Sequence, residues 1–306
     1  MDLDDRPETA APAKTTGPAE TTVPAETTGP PARPGIRTGR NLPVAIGVGL
    51  GMGALVVLTL YTVKATFLVY MGAALAVAGW ELSRALAVRN IRIALPPLAA
   101  GCAALWTCAY WIGTRAALAA LALTVVAVII WRLPGGASGY LQDMTASLFV
   151  LVYLPLMAMF VVLMLASRDG PDRLIVFFAV TICSDVGGYF AGILFGRHLM
   201  VPAISPKKTW EGFGGSAVAC VAAGAALVPT LLRGLFWQGM IVGVATLAAA
   251  TLGDLVESMI KRDLEIKDMG TLLPGHGGIL DRIDSLLINA PVAWLLLAAF
   301  VPAGAR

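Results

Sequence analysis

Two acidic clusters bracket a glycine-rich stretch near the C-terminal end of the chain. Asp254, Glu257, Ser258 and Lys261 stand at i, i+3, i+4 and i+7, which places them on one face of a helix. Past the glycines, Asp281, Asp284 and Ser285 stand at i, i+3 and i+4 on the entry to another apolar run. Carboxylates brought together repel unless a cation lies between them. Hard oxygen donors without soft competitors suit Mg²⁺, which takes one or two carboxylates and leaves positions for water and phosphate. Asp254 and Asp281 are the best pair for it. Neutralisation by Arg262, Lys267 and Arg282 without metal is the plainer alternative. For the first cluster, the plainer alternative is a solvated helix end with a Glu257–Lys261 pair.

Between the clusters runs Leu273-Pro-Gly-His-Gly-Gly278. Glycines let backbone N–H groups approach an anion closely and adopt positive φ. Flanked by Lys267, Asp268, Asp281 and Arg282, this stretch reads as a phosphate cradle built on Gly277 and Gly278 rather than an ordinary turn. His276 is placed to donate to a phosphate or act as an acid, with a structural hydrogen-bonding role weighed equally. A second polar island, Ser205-Pro-Lys-Lys-Thr-Trp-Glu-Gly, sets Lys207 and Lys208 beside a proline-fixed turn. It reads as a polyphosphate contact once the later stretch is considered; alone it would pass for a basic anchor with an interfacial Trp210. Asp185, inside an apolar run with Tyr189 one turn on, either lines the same polar cavity or pairs with a lysine. Glu81, near Trp80 and Arg84, reads as part of a helix-end charge pair.

These groups need a scaffold, and composition defines its class. Hydrophobic residues make up 58% of the 306 residues and charged residues only 13%, against about 25% charged in soluble domains; mean hydropathy is +0.79. Crossing a bilayer takes about 20 mainly apolar residues. Roughly nine segments meet that criterion, near 42–63, 65–84, 93–112, 115–131, 146–166, 173–195, 213–232, 235–256 and 284–302. Continuous apolar runs without strand alternation indicate helices rather than a barrel. The expected fold is all-α and polytopic, with a polar active site at the cytoplasmic side. Residues 42–170 form an N-terminal set of spans and residues 171–306 a C-terminal catalytic region.

Residues 1–41 are rich in Pro, Thr, Ala and Glu, and PAETT occurs at Pro18–Thr22 and again at Pro24–Thr28. Such a segment buries too little surface to offset its ordering entropy, so a disordered cytoplasmic tail is expected. It lacks the apolar core of a signal peptide. With the N-terminus in the cytoplasm, fourteen of the 22 lysines and arginines fall on that side, among them Arg84, Arg132, Lys207, Lys261 and Arg282, and six on the other. That bias places both polar loops in the cytoplasm and, with nine spans, the C-terminus outside. The net charge of +3 and the absence of any recognisable module argue against nucleic-acid binding. Cys102, Cys108, Cys183 and Cys220 all lie in predicted spans without CxxC spacing and read as small apolar residues.

From Ser258 to Asp284 the chain carries S-x-x-K-R-x4-K-D-x-G-x-x-L-P-G-H-G-G-x-x-D-R-x-D without a gap. This resembles the pattern of the phosphatidate cytidylyltransferases. The S-P-K-K-T-W-E-G and D-x-G-x-Y-F-A-G segments are similar to that family as well, so the likeness covers about the last 125 residues. Val186 and Gly188 stand where Thr and Ala are more usual. The resemblance implies an enzyme joining CTP to phosphatidic acid, giving CDP-diacylglycerol and pyrophosphate at the cell membrane. It also implies Mg²⁺ dependence, a second cation such as K⁺, and a homodimer. On that reading Asp254 and Asp281 hold the metal. Ser205, Lys207, Lys208, Gly277 and Gly278 receive the nucleotide. Lys261, Arg262, Lys267, Asp268, His276, Arg282 and Asp284 serve the reaction, with Asp268 and Asp284 orienting bases or holding the second cation.

Two other functions fit part of the pattern. A cation-coupled transporter would also use intramembrane acids and about nine spans, but its polar groups would gather at midplane broken helices. A related enzyme could act on another lipid phosphate, as a cytidylyltransferase or a kinase. CTP consumption separates the first from an enzyme, and competition by phosphatidic acid separates the second.

Overall fold

The computed structural model describes residues 42–202, 204–270, 272 and 277–301. The expected disordered tail and His276 lie outside the described residues. Among the described residues, nine long helices follow in order: α1 Leu42–Thr62, α2 Lys64–Ala87, α3 Leu95–Ile112, α4 Thr114–Trp131, α5 Tyr140–Ala166, α6 Gly170–Phe195, α7 Trp210–Leu232, α8 Phe236–Asp263 and α9 Leu280–Phe300. Among the described residues, α2 to α9 are long and apolar enough to cross a membrane, and α1 contributes the apolar stretch Gly51–Thr62. The all-α, multi-pass architecture is as expected.

Of the boundaries that differ from the sequence reading, three carry buried or site-forming charged residues into a helix. Helix α8 runs on to Asp263, so Asp254, Glu257, Lys261 and Arg262 are all helical. Helix α9 begins at Leu280, which puts Asp281 and Asp284 in its first turns. Helix α5 begins at Tyr140, and its buried Asp143 accepts from the Arg92 N–H at 2.7 Å and pairs with Arg132. In all three, charged residues lower the hydropathy at the end of an apolar run, while Lys261–Asp281 and Arg132–Asp143 pairs hold them in the helices.

Helices α3 and α5 contain wider turns, at Cys108–Ile112 and Val152–Leu156. The second holds Pro155, which has no N–H to give to the helix. Its carbonyl accepts instead from the Trp106 indole at 3.0 Å, which ties α3 to α5.

The packed interior is built from Phe67, Leu82, Leu105, Leu165, Phe177 and Leu297, all nearly inaccessible. Large apolar side chains also cover the outside: Val69 and Val218 are each 73% exposed and Leu123 is 70% exposed. An apolar exterior of this extent suits a hydrocarbon surround.

Between α6 and α7 the chain forms a short antiparallel hairpin, β1 Leu199–Val201 and β2 Ser205–Thr209, with Leu199 opposite Thr209 and Val201 opposite Ser205. Pro206, expected to fix a turn beside Lys207 and Lys208, lies with them on a strand. Thr209 ends the strand and caps α7, accepting from the Gly212 N–H at 3.1 Å. Glu211 accepts from the Arg197 and His198 N–H groups at 3.1 and 3.2 Å, which fastens the base of the hairpin to the helix.

The opposite ends of the helices are tied by simpler contacts. Lys64 Nζ donates to the carbonyls of Ser167 and Arg168, each at 3.0 Å. The buried Arg173 reaches Asp169 at 2.8 Å and the Leu297 carbonyl at 3.1 Å.

Candidate active site

The last turns of α8 and the first turns of α9 bring the two acidic clusters side by side. The helices approach closely because Gly253 has no side chain: a Cβ there would lie 2.8 Å from the Asp284 carbonyl oxygen. Lys261 joins the clusters, donating to Glu257 Oε2 at 2.6 Å and to Asp281 Oδ1 at 2.5 Å. Glu257 is only 3% exposed, so this is not the solvated surface pair that i,i+4 spacing allows. Its Oε1 is buried without a hydrogen-bond partner.

Asp281 secures the connection that precedes it. Its carboxylate accepts from the Gly278 N–H at 2.7 Å and from the Met269 N–H at 3.2 Å. Gly277 turns the chain at φ +84°, where other residues are strained. The Gly278 N–H expected to meet a phosphate therefore serves Asp281. An acid in the first turn of α9 also meets the positive end of the helix dipole.

Asp254, one turn before Glu257 on α8, reaches the hairpin. Lys208 Nζ donates to its Oδ2 at 2.7 Å, across 46 positions of sequence. The pair borders a cavity of about 340 Å³, within the range of small-molecule sites, whose walls include Asp185, Tyr189, Ser205 and Lys207. Of the two readings of Asp185, the cavity wall is the one observed. Asp254 and Asp284 both bear electrostatically on it, as do Lys208 and Arg282.

A second space, also about 340 Å³, opens among α1, α2, α5, α6 and α9. Its walls are apolar, with Val56, Met71, Phe177 and Leu286, until it reaches Arg282 and Asp185. Asp185 is the one described residue that lines both spaces. Polar cavity and apolar groove thus meet at a carboxylate.

The remaining expected site residues lie at the edge of this group. Arg262 is exposed and donates toward the Ile204 carbonyl at 3.5 Å, which links the end of α8 to the hairpin. Lys267 and Asp268 are exposed on the connection between α8 and α9.

Two residues escaped the sequence reading. Glu81 does not pair with Arg84, whose guanidinium lies 5.1 Å above the Trp80 ring. It is 2% exposed and accepts from the Leu280 N–H at 3.1 Å. The signal was available: an acid within an apolar run requires a partner, and helical spacing offered Arg84 too readily. Tyr153, on the widened turn of α5, is buried with its hydroxyl unpartnered and bears on Asp254, Glu257 and Asp284. Nothing in its apolar surroundings in the sequence marks it.

Among the described residues, no three acids, histidines or cysteines form a metal cluster by themselves. The donor set nevertheless fits Mg²⁺, which completes its shell with water and phosphate. Asp185, Asp254, Glu257, Asp281 and Asp284 outnumber the neighbouring Lys208, Lys261 and Arg282. The unpartnered Glu257 oxygen is a further hard donor.

Comparison with known proteins gives the family of the chain. The sequence profile of the cytidylyltransferase family matches residues 43–300. A phosphatidate cytidylyltransferase of Mycobacterium leprae is 42% identical over 280 residues, covering 85% of this chain and 89% of that protein. One from Mycobacterium tuberculosis is 41% identical over 281 residues, covering 87% of this chain and 85% of its own. The chloroplastic phosphatidate cytidylyltransferase 5 of Arabidopsis thaliana is 40% identical over 130 residues, covering 41% of this chain and 31% of its own. On the strength of the match across nearly every helix, this chain belongs to the cytidylyltransferase family.

Proposed function

We propose that this protein is a phosphatidate cytidylyltransferase, which converts CTP and phosphatidic acid to CDP-diacylglycerol and pyrophosphate. The observation that carries the proposal is the junction at Asp185. A cavity bearing Lys207, Lys208 and Asp254 suits a nucleotide polyphosphate, and an apolar groove ending at Arg282 suits the acyl chains and phosphate of a lipid.

The reaction needs no nucleophilic side chain. A phosphomonoester has a second pKa near about 6, so the lipid phosphate is largely dianionic at neutral pH. One of its oxygens attacks the α-phosphorus of CTP. The bond to the bridging oxygen breaks, and pyrophosphate leaves with that electron pair. The obstacle is repulsion between two polyanions and the charge that builds on the leaving group. Lys207 and Lys208 neutralise the triphosphate from the hairpin. Arg282 holds the lipid phosphate from α9. Lys261 keeps α8 and α9 in register through Glu257 and Asp281. Asp254, Asp281 and Asp284 supply the oxygens to hold Mg²⁺, which when bound would offset charge on the phosphates.

The basic bias of the connecting segments supports a cytoplasmic active site, where CTP is found. The clustering of polar groups at one end of the helices favours an enzyme over a transporter. The test is direct: purified protein in detergent micelles, given CTP and phosphatidic acid with Mg²⁺, forms CDP-diacylglycerol and pyrophosphate in equal amounts. Absence of both products from folded protein rejects the proposal.

A further inference from the structure

We infer that Glu81 of α2 is a positioning residue for this reaction, holding the start of α9 and the connection before it in their working geometry. The inference rests on the functional reading above and adds a residue from the N-terminal half of the chain.

The first N–H groups of a helix have no partner within it. Helix α9 begins after Ile279, whose side chain cannot cap it. Glu81 supplies the missing acceptor from 199 positions away, with Oε2 taking the Leu280 N–H at 3.1 Å. A carboxylate at that site also meets the positive end of the helix dipole. Two glycines close around the same side chain. A Cβ on Gly270 would lie 2.1 Å from Glu81 Oε1, and one on Gly278 would lie 2.6 Å from Oε2. Gly270 and Gly278 both pack on this carboxyl, so Glu81 acts as a post against which the two glycines rest.

The residues set by that post are the ones the chemistry uses. Gly278 donates to Asp281 at 2.7 Å, Met269 precedes Gly270 and donates to the same carboxylate, and Arg282 follows in the first turn of α9. Glu81 itself lines neither the polar cavity nor the apolar groove. Its influence on turnover therefore passes through the placement of Asp281 and Arg282.

The experiment compares Glu81→Ala, Gly270→Ala and the double variant in the full-length protein. A displacement of about 1 Å in reacting groups lowers rates on the order of a hundredfold. Each single variant is expected to lower kcat by about tenfold to a hundredfold, with KM for CTP within about threefold, because Lys207 and Lys208 stand on a separate element. The double variant is expected to be no worse than either single one, since Glu81→Ala removes the atoms that Gly270→Ala strikes. Amide exchange at Gly278 to Arg282 should speed up in both singles while α6 and α7 keep wild-type protection. If Glu81→Ala does not fold, Gly278→Ala takes its place beside Gly270→Ala and must show the same kcat loss and local exchange. Folded variants with kcat within about threefold of wild type overturn the inference, as do losses that multiply in the double variant or exchange that rises through all helices. Exchange is read without substrate, so it decides on the Glu81 contact even if wild-type protein forms no CDP-lipid, which would reject the functional proposal instead.

Discussion

Lys261 of α8 and Asp281 of α9 form an ion pair at 2.5 Å that joins the two helices carrying the acidic clusters. Both side chains are largely withdrawn from solvent, at 16% and 5% exposure. Removing one partner strands the other, at a typical penalty of about 3 kcal/mol or more. Lys261→Met should therefore lower the thermal unfolding midpoint in detergent as well as abolish turnover. Asp281→Asn leaves Lys261 its bond to Glu257 and should cost less stability while lowering turnover by about a hundredfold or more. Equal unfolding midpoints for Lys261→Met and wild type would show that the pair adds nothing to the fold.

Metal dependence is expected from the surplus of carboxylates. Chelation should abolish CDP-lipid formation, and added Mg²⁺ should restore it. Asp254→Asn should lower turnover by about a hundredfold or more and raise the Mg²⁺ concentration for half-maximal rate. Turnover unaffected by exhaustive chelation would remove Mg²⁺ from the account.

Lys207 and Lys208 border the polar cavity, while Arg282 stands at the end of the apolar groove. Their variants should separate the two substrates. Lys207→Ala and Lys208→Ala should raise KM for CTP by about tenfold, the scale of one charge-assisted hydrogen bond. Arg282→Ala should raise KM for phosphatidic acid instead. Steady-state kinetics with each substrate varied in turn decides the matter, and a reversed pattern would exchange the two sites.

The pH profile carries a sign. On the proposed mechanism the dianionic lipid phosphate is the nucleophile, and its second pKa is about 6. Below that value the monoanion dominates and the rate should fall about tenfold per pH unit. Above about 7 the rate should level off. A rate that rises as pH drops from 7 to 5 would rule out attack by the dianion.

How far the sequence could be read depends on which interactions are local. The face of Asp254, Glu257 and Lys261 follows from helical spacing, and α8 carries all three as expected. The apolar runs likewise give the helices, because bilayer thickness sets their length. What spacing cannot reveal is contact between distant segments. The Lys208–Asp254 pair and the Glu81–Leu280 bond join residues 46 and 199 positions apart. The hairpin at 199–209 was hidden for a related reason: Pro206 suggests a turn, whereas the pairing of Leu199 with Thr209 depends on the partner strand. Gly278 shows a third limit. Its residue type fits an anion cradle, but its N–H is already committed to a carboxylate three residues ahead.

Asp185 occupies the seam between a polar chamber and an apolar trough. On the proposed chemistry, a triphosphate stays wetted and fatty tails stay in oil until their phosphorus atoms meet. Departure then runs along the same divide, with pyrophosphate released to the aqueous phase and the liponucleotide sliding sideways into the leaflet. Each reactant keeps its own solvent throughout turnover, so neither has to be carried across the boundary before the bond is made.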